Sequence, residues 1–315
     1  MTTLTRSRQA NRPGIVAAAT VTAIGGLAFG VRLTPAPAGA TSITEIGIPL
    51  ARLAAALLGI ATTGLALYPI LHGRTDTVRR AGSHTAIGWM LAALCMLWLQ
   101  SAEISSRGLS VRLTETLDYA SHISTGRALT GVVVAAAGCA LLGGVPAARL
   151  AAALAGLVAV PLTGHATQAA PSGLGGLTIA LHVIAAALWV GGLAAVLLLA
   201  AAHPDALGGA LPRFSALAGI CILTVAASGV ILTILRLAPD GLLHTLTGTG
   251  YGLVVLAKVG CLCVLAGTGG YIRQRLLPRI VRGEATAFAA WAGTELAVMT
   301  LAVALATALS RAPLT

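Results

Sequence analysis

The chain has 315 residues, 57% of them hydrophobic and 9% charged, with a mean hydropathy of +0.91. Soluble domains carry about 25% charged residues, so a water-facing surface cannot be built from this composition and a soluble fold is excluded. The formal charge of +11 does not point to nucleic acid, because basic residues collect in the cytoplasmic loops of membrane proteins.

Apolar stretches of roughly twenty residues, the length a helix needs to cross a bilayer, recur along the chain. Membrane β-barrels need alternating polarity instead. The reading is all-α: a polytopic transmembrane helix bundle in a multi-pass membrane protein. Nine spans are predicted, at 14–32, 48–70, 84–104, 122–143, 147–164, 175–201, 212–236, 250–272 and 286–309. The first also resembles a signal peptide, with a basic start and a small-residue site at Ala38-Gly39-Ala40. Its apolar run is longer than the usual ~7–15 residues of a signal core, so a retained helix is expected; cleavage would leave eight spans. The layout divides into a four-helix region, 1–144, and a C-terminal membrane domain, 145–315.

Orientation follows from the arginines. With the N-terminus inside and the C-terminus outside, twelve arginines fall on the inner side and seven on the outer, as the positive-inside rule requires. The block "YIRQRLLPRIVRG" is the strongest inner anchor. All five cysteines lie within predicted spans, which argues against an extracellular disulfide framework. There is no nucleotide-binding loop and no nucleophile motif with its partners, so no enzyme is predicted.

Three ionisable residues stand out inside the spans: His182, Lys258 and Glu295. Such residues are costly in hydrocarbon and mark functional sites. His182 lies about 10 Å below the outer end of its helix at 1.5 Å per residue. His165 ends the preceding helix and is able to approach it if the "GHATQAAPSG" loop folds inward. Trp189 shares the His182 face, and Ala185, Ala186, Gly191 and Gly192 allow close packing. Two imidazoles suit Cu, Zn, Fe or Ni. The plainer alternative is a His182 hydrogen bond across a helix interface. Lys258 and Glu295 fall near mid-membrane on consecutive antiparallel helices, where an ion pair is expected. Met299 lies one turn from Glu295.

A second outer group is predicted from Met96, Gln100 and Glu103 on one face, with His122 opening the fourth span. His72, His84 and His203 fall in or beside inner loops and need no special role. Cys261 and Cys263 resemble a chelate on an inner pathway. Residues two apart on a helix nevertheless point about 200° from each other, so both reach one ion only if the helix unwinds.

The segments "GHATQAAPSGLGGLTIALHVIAAALWVGGL", "PRFSALAGICILTVAASGVILTILRL", "GYGLVVLAKVGCLCVLAGTGGYIRQRLLP" and "ELAVMTLAVALATALSRAP" resemble the copper-resistance protein D (CopD) family from about Thr163 to the C-terminus. The likeness implies copper transport across the bacterial inner membrane, beside a small periplasmic copper carrier of the CopC type. Its pattern lands on His165, His182, Trp189, Lys258 and Glu295. Any transport would be passive, gradient-coupled or driven by partner affinity. Two other readings stay open: a transmembrane b-type cytochrome with haem on His122, His165 or His182, and an accessory protein for oxidase metallation.

Overall fold

The computed structural model describes residues 11–33, 42–105, 110–163, 173–237, 242–284 and 286–309. Among the described residues there is no strand, and nine helical segments are long and apolar enough to cross a membrane. This is the only open-chain architecture that satisfies every backbone N–H and C=O in hydrocarbon. The helices in chain order are α1 (Asn11–Leu33), α2 (Ser42–Leu71), α3 (Asp76–Ser105), α4 (Leu113–His122), α5 (Ser124–Leu141), α6 (Pro146–Ala159), α7 (Leu174–Ala202), α8 (Leu207–Leu237), α9 (Leu242–Gly248), α10 (Gly250–Tyr271), α11 (Leu277–Val281) and α12 (Phe288–Leu309).

The bounds depart from the sequence reading where a helix outlasts its apolar run. α3 starts at Asp76 rather than 84, because the polar turn "DTVRRAGS" continues the helix beyond the hydrocarbon. The eighth span runs on through a π-helical turn, Ile272–Leu276, to Val281. The expected fourth span is broken at Ile123, whose backbone is extended, so His122 ends the short helix α4 instead of opening a span. Gly126 makes the sharp re-entry possible, because its α-carbon packs on the Tyr119 carbonyl where a side chain would not fit.

α2 is the central helix and packs against α3, α6, α7 and α12. Where α2 crosses α7, Gly64 and Gly191 face each other with no side chain between them. A Cβ on Gly191 would stand 2.7 Å from the Ile60 carbonyl oxygen and 2.9 Å from the Gly64 nitrogen. One turn-face away, Gly192 receives the Phe214 ring of α8. On the other side of α2, the Trp89 indole of α3 is buried over Gly59 and Gly156, which joins α2, α3 and α6. Large apolar side chains such as Leu223, Ile220 and Val134 stay outward, as expected of a belt facing lipid tails.

Helix order in space does not follow chain order, since α1 lies along α12. Gly26 and Gly30, a small-xxx-small pair, meet Ala304 and Ala308. Thr22 donates to the Ala297 carbonyl at 3.0 Å, and Thr300 donates to the Ala19 carbonyl at 3.2 Å. Without a hydrophobic drive between helices in lipid, close packing of small residues and interhelical hydrogen bonds hold such seams.

At one end of the bundle the α2–α3, α5–α6, α7–α8 and α11–α12 connections come together. His72 and His203 stack there at 4.8 Å between ring centroids, and Glu284 bridges Arg279 at 2.9 Å and Arg282 at 2.7 Å. Those two guanidinium groups hold the Glu284 carboxyl below its ordinary value. This arginine-rich end is opposed by the end carrying α4 and α9.

Gly26→Leu with Gly30→Leu would drive two isobutyl groups into the α12 backbone, at a cost of about 1–3 kcal/mol per overpacked site. Thermal unfolding in detergent should show a lowered midpoint, with Thr22→Val costing nearer ~0.6 kcal/mol.

Candidate functional site

Three polar residues lie at one depth inside the bundle, and two of them touch. His182 lies eight residues into α7 from Leu174, Ser228 nine residues before the end of α8, and Lys258 eight residues into α10. At 1.5 Å per residue each is about 12–14 Å from the α4/α9 end. The His182 Nδ1 stands 2.9 Å from the Ser228 Oγ. Ser228 is buried and its hydroxyl donates to the Thr224 carbonyl one turn back. The serine oxygen therefore accepts, and Nδ1–H of the imidazole donates. The lone pair is left on Nε2. Lys258 lies at a similar depth on α10, one turn before Cys261.

The sequence of each helix explains the meeting. Gly191 locks α7 onto α2, and Gly192 accepts Phe214 of α8, so the small residues beside Trp189 set both contacts of the His182 helix. Trp189 itself is core, 5% exposed and packed with Leu193, Phe214 and Met299. On α8 the Ser228-Gly229 pair lets the imidazole lie against the helix, with the His182 Cε1 3.8 Å from where a Gly229 Cβ would stand.

The other expected groupings are not assembled. His165 lies outside the described residues. His122 is turned outward and pairs through Nδ1 with Asp118 at 2.9 Å, so it does not share a site with His182. Met96 is 2% exposed in the core formed with Trp89 and Leu129. Gln100 accepts a 2.7 Å hydrogen bond from the buried Tyr119 hydroxyl, while Glu103 is half-buried near that hydroxyl. Among the described residues, no group of three or more His, Cys, Asp or Glu side chains is arranged to hold a metal ion.

The expected Lys258–Glu295 ion pair is also not formed. Glu295 is 5% exposed, and its Oε1 stands 3.4 Å from where a Gly269 Cβ would be. Gly269 is eleven residues along α10 from Lys258, roughly 16 Å at helical rise. The register of α10 against α12 thus separates the two residues into opposite halves of the bundle, with Lys258 at about the depth of His182. Met299 is buried one turn from Glu295. Cys261 is buried and Cys263 exposed, the opposed directions that helical geometry dictates for residues two apart, so the helix is not unwound for chelation.

Residues 208–309 match the family model described as Copper resistance protein D. The match covers about a third of the chain, and over that segment the chain is similar to this family. The match contains Ser228, Lys258, Cys261, Cys263, Glu295 and Met299, and it begins after His182. Neither a curated protein nor a solved structure matches the chain. The nine apolar helices found among the described residues make the chain a multi-pass membrane protein.

Sequence reasoning missed Ser228, whose only signal was a hydroxyl beside a glycine in mid-helix. It also passed over the stacking of His72 on His203, which are 131 residues apart in the chain. Ser228→Ala removes the acceptor of the imidazole N–H. Nitrogen-15 spectra of the His182 ring should then show loss of the single Nδ1–H tautomer, with stability falling by only about 0.6–2 kcal/mol.

Proposed function

We propose that this protein moves copper ions across the bacterial inner membrane, with His182 as the ligand within the bundle. The observation that carries this reading is the Thr224–Ser228–His182 chain of hydrogen bonds. A metal-binding histidine commonly donates its second ring N–H to an oxygen, which fixes the tautomer and raises the basicity of the ligating nitrogen. Here that nitrogen is Nε2. Imidazole and soft sulfur ligands both suit copper, and the family match supports copper as the cargo.

The arginine-rich end lies in the cytoplasm in this reading, so the His182 layer belongs to the periplasmic half. Copper is handed in from a periplasmic carrier of the CopC type and captured by His165, His122 or Glu103 at the mouth. Below His182, the buried Cys261 thiol, Met299 thioether and Glu295 carboxyl offer successive ligands toward the cytoplasmic end. Cys263, which faces outward, takes no part. A protonated Lys258 at the depth of His182 weakens cation binding there and keeps the ion from resting.

Two substitutions test the reading in a copper-accumulation assay with matched expression. His182→Ala should reduce copper-dependent accumulation to the level of cells without the protein, while the purified variant elutes as wild type and melts only as far below it as Ser228→Ala does. Accumulation equal to wild type would refute the role of His182. Lys258→Met should tighten copper binding by roughly tenfold, equivalent to ~1.4 kcal/mol, in titrations of the purified protein.

A further inference from the structure

A cavity of about 310 Å³ opens at the arginine-rich end between the α2–α3 and α5–α6 connections. Its volume is at the lower limit of ordinary small-molecule sites, ~300–1,000 Å³. Arg74, Arg79 and Arg149 line it, with Asp76 as the one carboxylate among the lining residues. The first turns of α3 and α6, at Asp76 and Pro146, also face it, so two helix N-termini add their positive ends.

Arg149 is the unusual member. It is 3% exposed, yet every acceptor of its guanidinium is neutral. Nε donates to the Cys139 carbonyl at 2.7 Å, Nη2 to the Ser83 hydroxyl at 2.8 Å and Nη1 to the Arg79 carbonyl at 3.4 Å. Among the described residues no carboxylate pairs with it, because Asp76 is taken by Arg79 at 3.3 Å. Gly143 leaves room for the arginine fork, since a Cβ there would stand 3.2 Å from the Arg79 Cγ and 3.3 Å from the Arg149 Nη2. A buried, uncompensated guanidinium is expensive, and two more cations beside it raise the cost. An anion bound beside the three guanidinium groups would offset that cost.

We propose that this cavity binds a phosphate-bearing anion. The guanidinium fork matches phosphate oxygens through two parallel N–H bonds, and helix N-termini are ready-made phosphate sites. A metal cation is repelled by the same charges. The site lies at the end of the bundle, where a phospholipid headgroup and a soluble phosphate both have access; basic pockets between spanning helices are known to hold anionic headgroups.

The test uses the full-length protein in nanodiscs of phosphatidylcholine alone or mixed with phosphatidylglycerol, read by native mass spectrometry and thermal unfolding. Arg74→Gln with Arg79→Gln removes two of the three cations and leaves the buried Arg149 bonds intact. Arg275→Gln with Arg279→Gln at the same end is the control for general surface charge. If a lipid headgroup is the ligand, wild type and control retain phosphatidylglycerol about tenfold better than the Arg74/Arg79 variant. If soluble phosphate is the ligand, inorganic phosphate raises the melting midpoint of wild type in phosphatidylcholine and leaves that variant unmoved. Arg74→Lys with Arg79→Lys should restore part of either effect. Equal retention and equal midpoints across all variants, or an equal loss in the control, would overturn the proposal.

Discussion

The bundle depends on one close crossing, Gly64 of α2 against Gly191 of α7. Each lacks a side chain where the two backbones touch, so the helices approach more closely than any larger residue allows. The apolar cluster around Trp89 lies on one side of this crossing, and the cluster around Trp189 and Phe214 on the other. Dispersion contacts and polar links, rather than exclusion of water, hold helices together in lipid. A crossing with no intervening side chain is therefore where the two clusters become one body.

The same crossing sets the chemistry. It fixes the rotation of α7, which turns His182 toward α8 and brings it to Ser228 at 2.9 Å. The register of α10 then decides which charge Lys258 meets. With its Nδ1–H committed to Ser228, the imidazole leaves Nε2 as its open nitrogen. Polar groups are thus layered along the bundle: the His182–Ser228–Lys258 layer in one half, Glu295 with Met299 in the other, and the arginine cavity at the far end.

Much of this was legible in the sequence, for identifiable reasons. Spans announce themselves because about twenty apolar residues have no other use, and His182, Lys258 and Glu295 are conspicuous because each is expensive in hydrocarbon. Apolar boundaries alone put Lys258 and Glu295 at one depth. α10 continues into a π turn and α11 past its apolar run, which shifts its register against α12. His122 was misplaced because an extended residue at Ile123 interrupts what composition reads as continuous helix.

By itself, then, the sequence determined the class of the fold, the approximate spans and three of the costly groups inside them, His182, Lys258 and Glu295. Those follow from local hydrophobicity and length, which each segment carries alone. Which buried group meets which was decided only by the tertiary structure. His182 with Ser228, α1 on α12 and Arg149 with the Cys139 carbonyl all depend on helix rotation and axial register, which are set by small-residue contacts between segments far apart in the chain. A shift of one residue on a helix turns its side chain by about 100°, so hydrophobicity alone leaves the partner open.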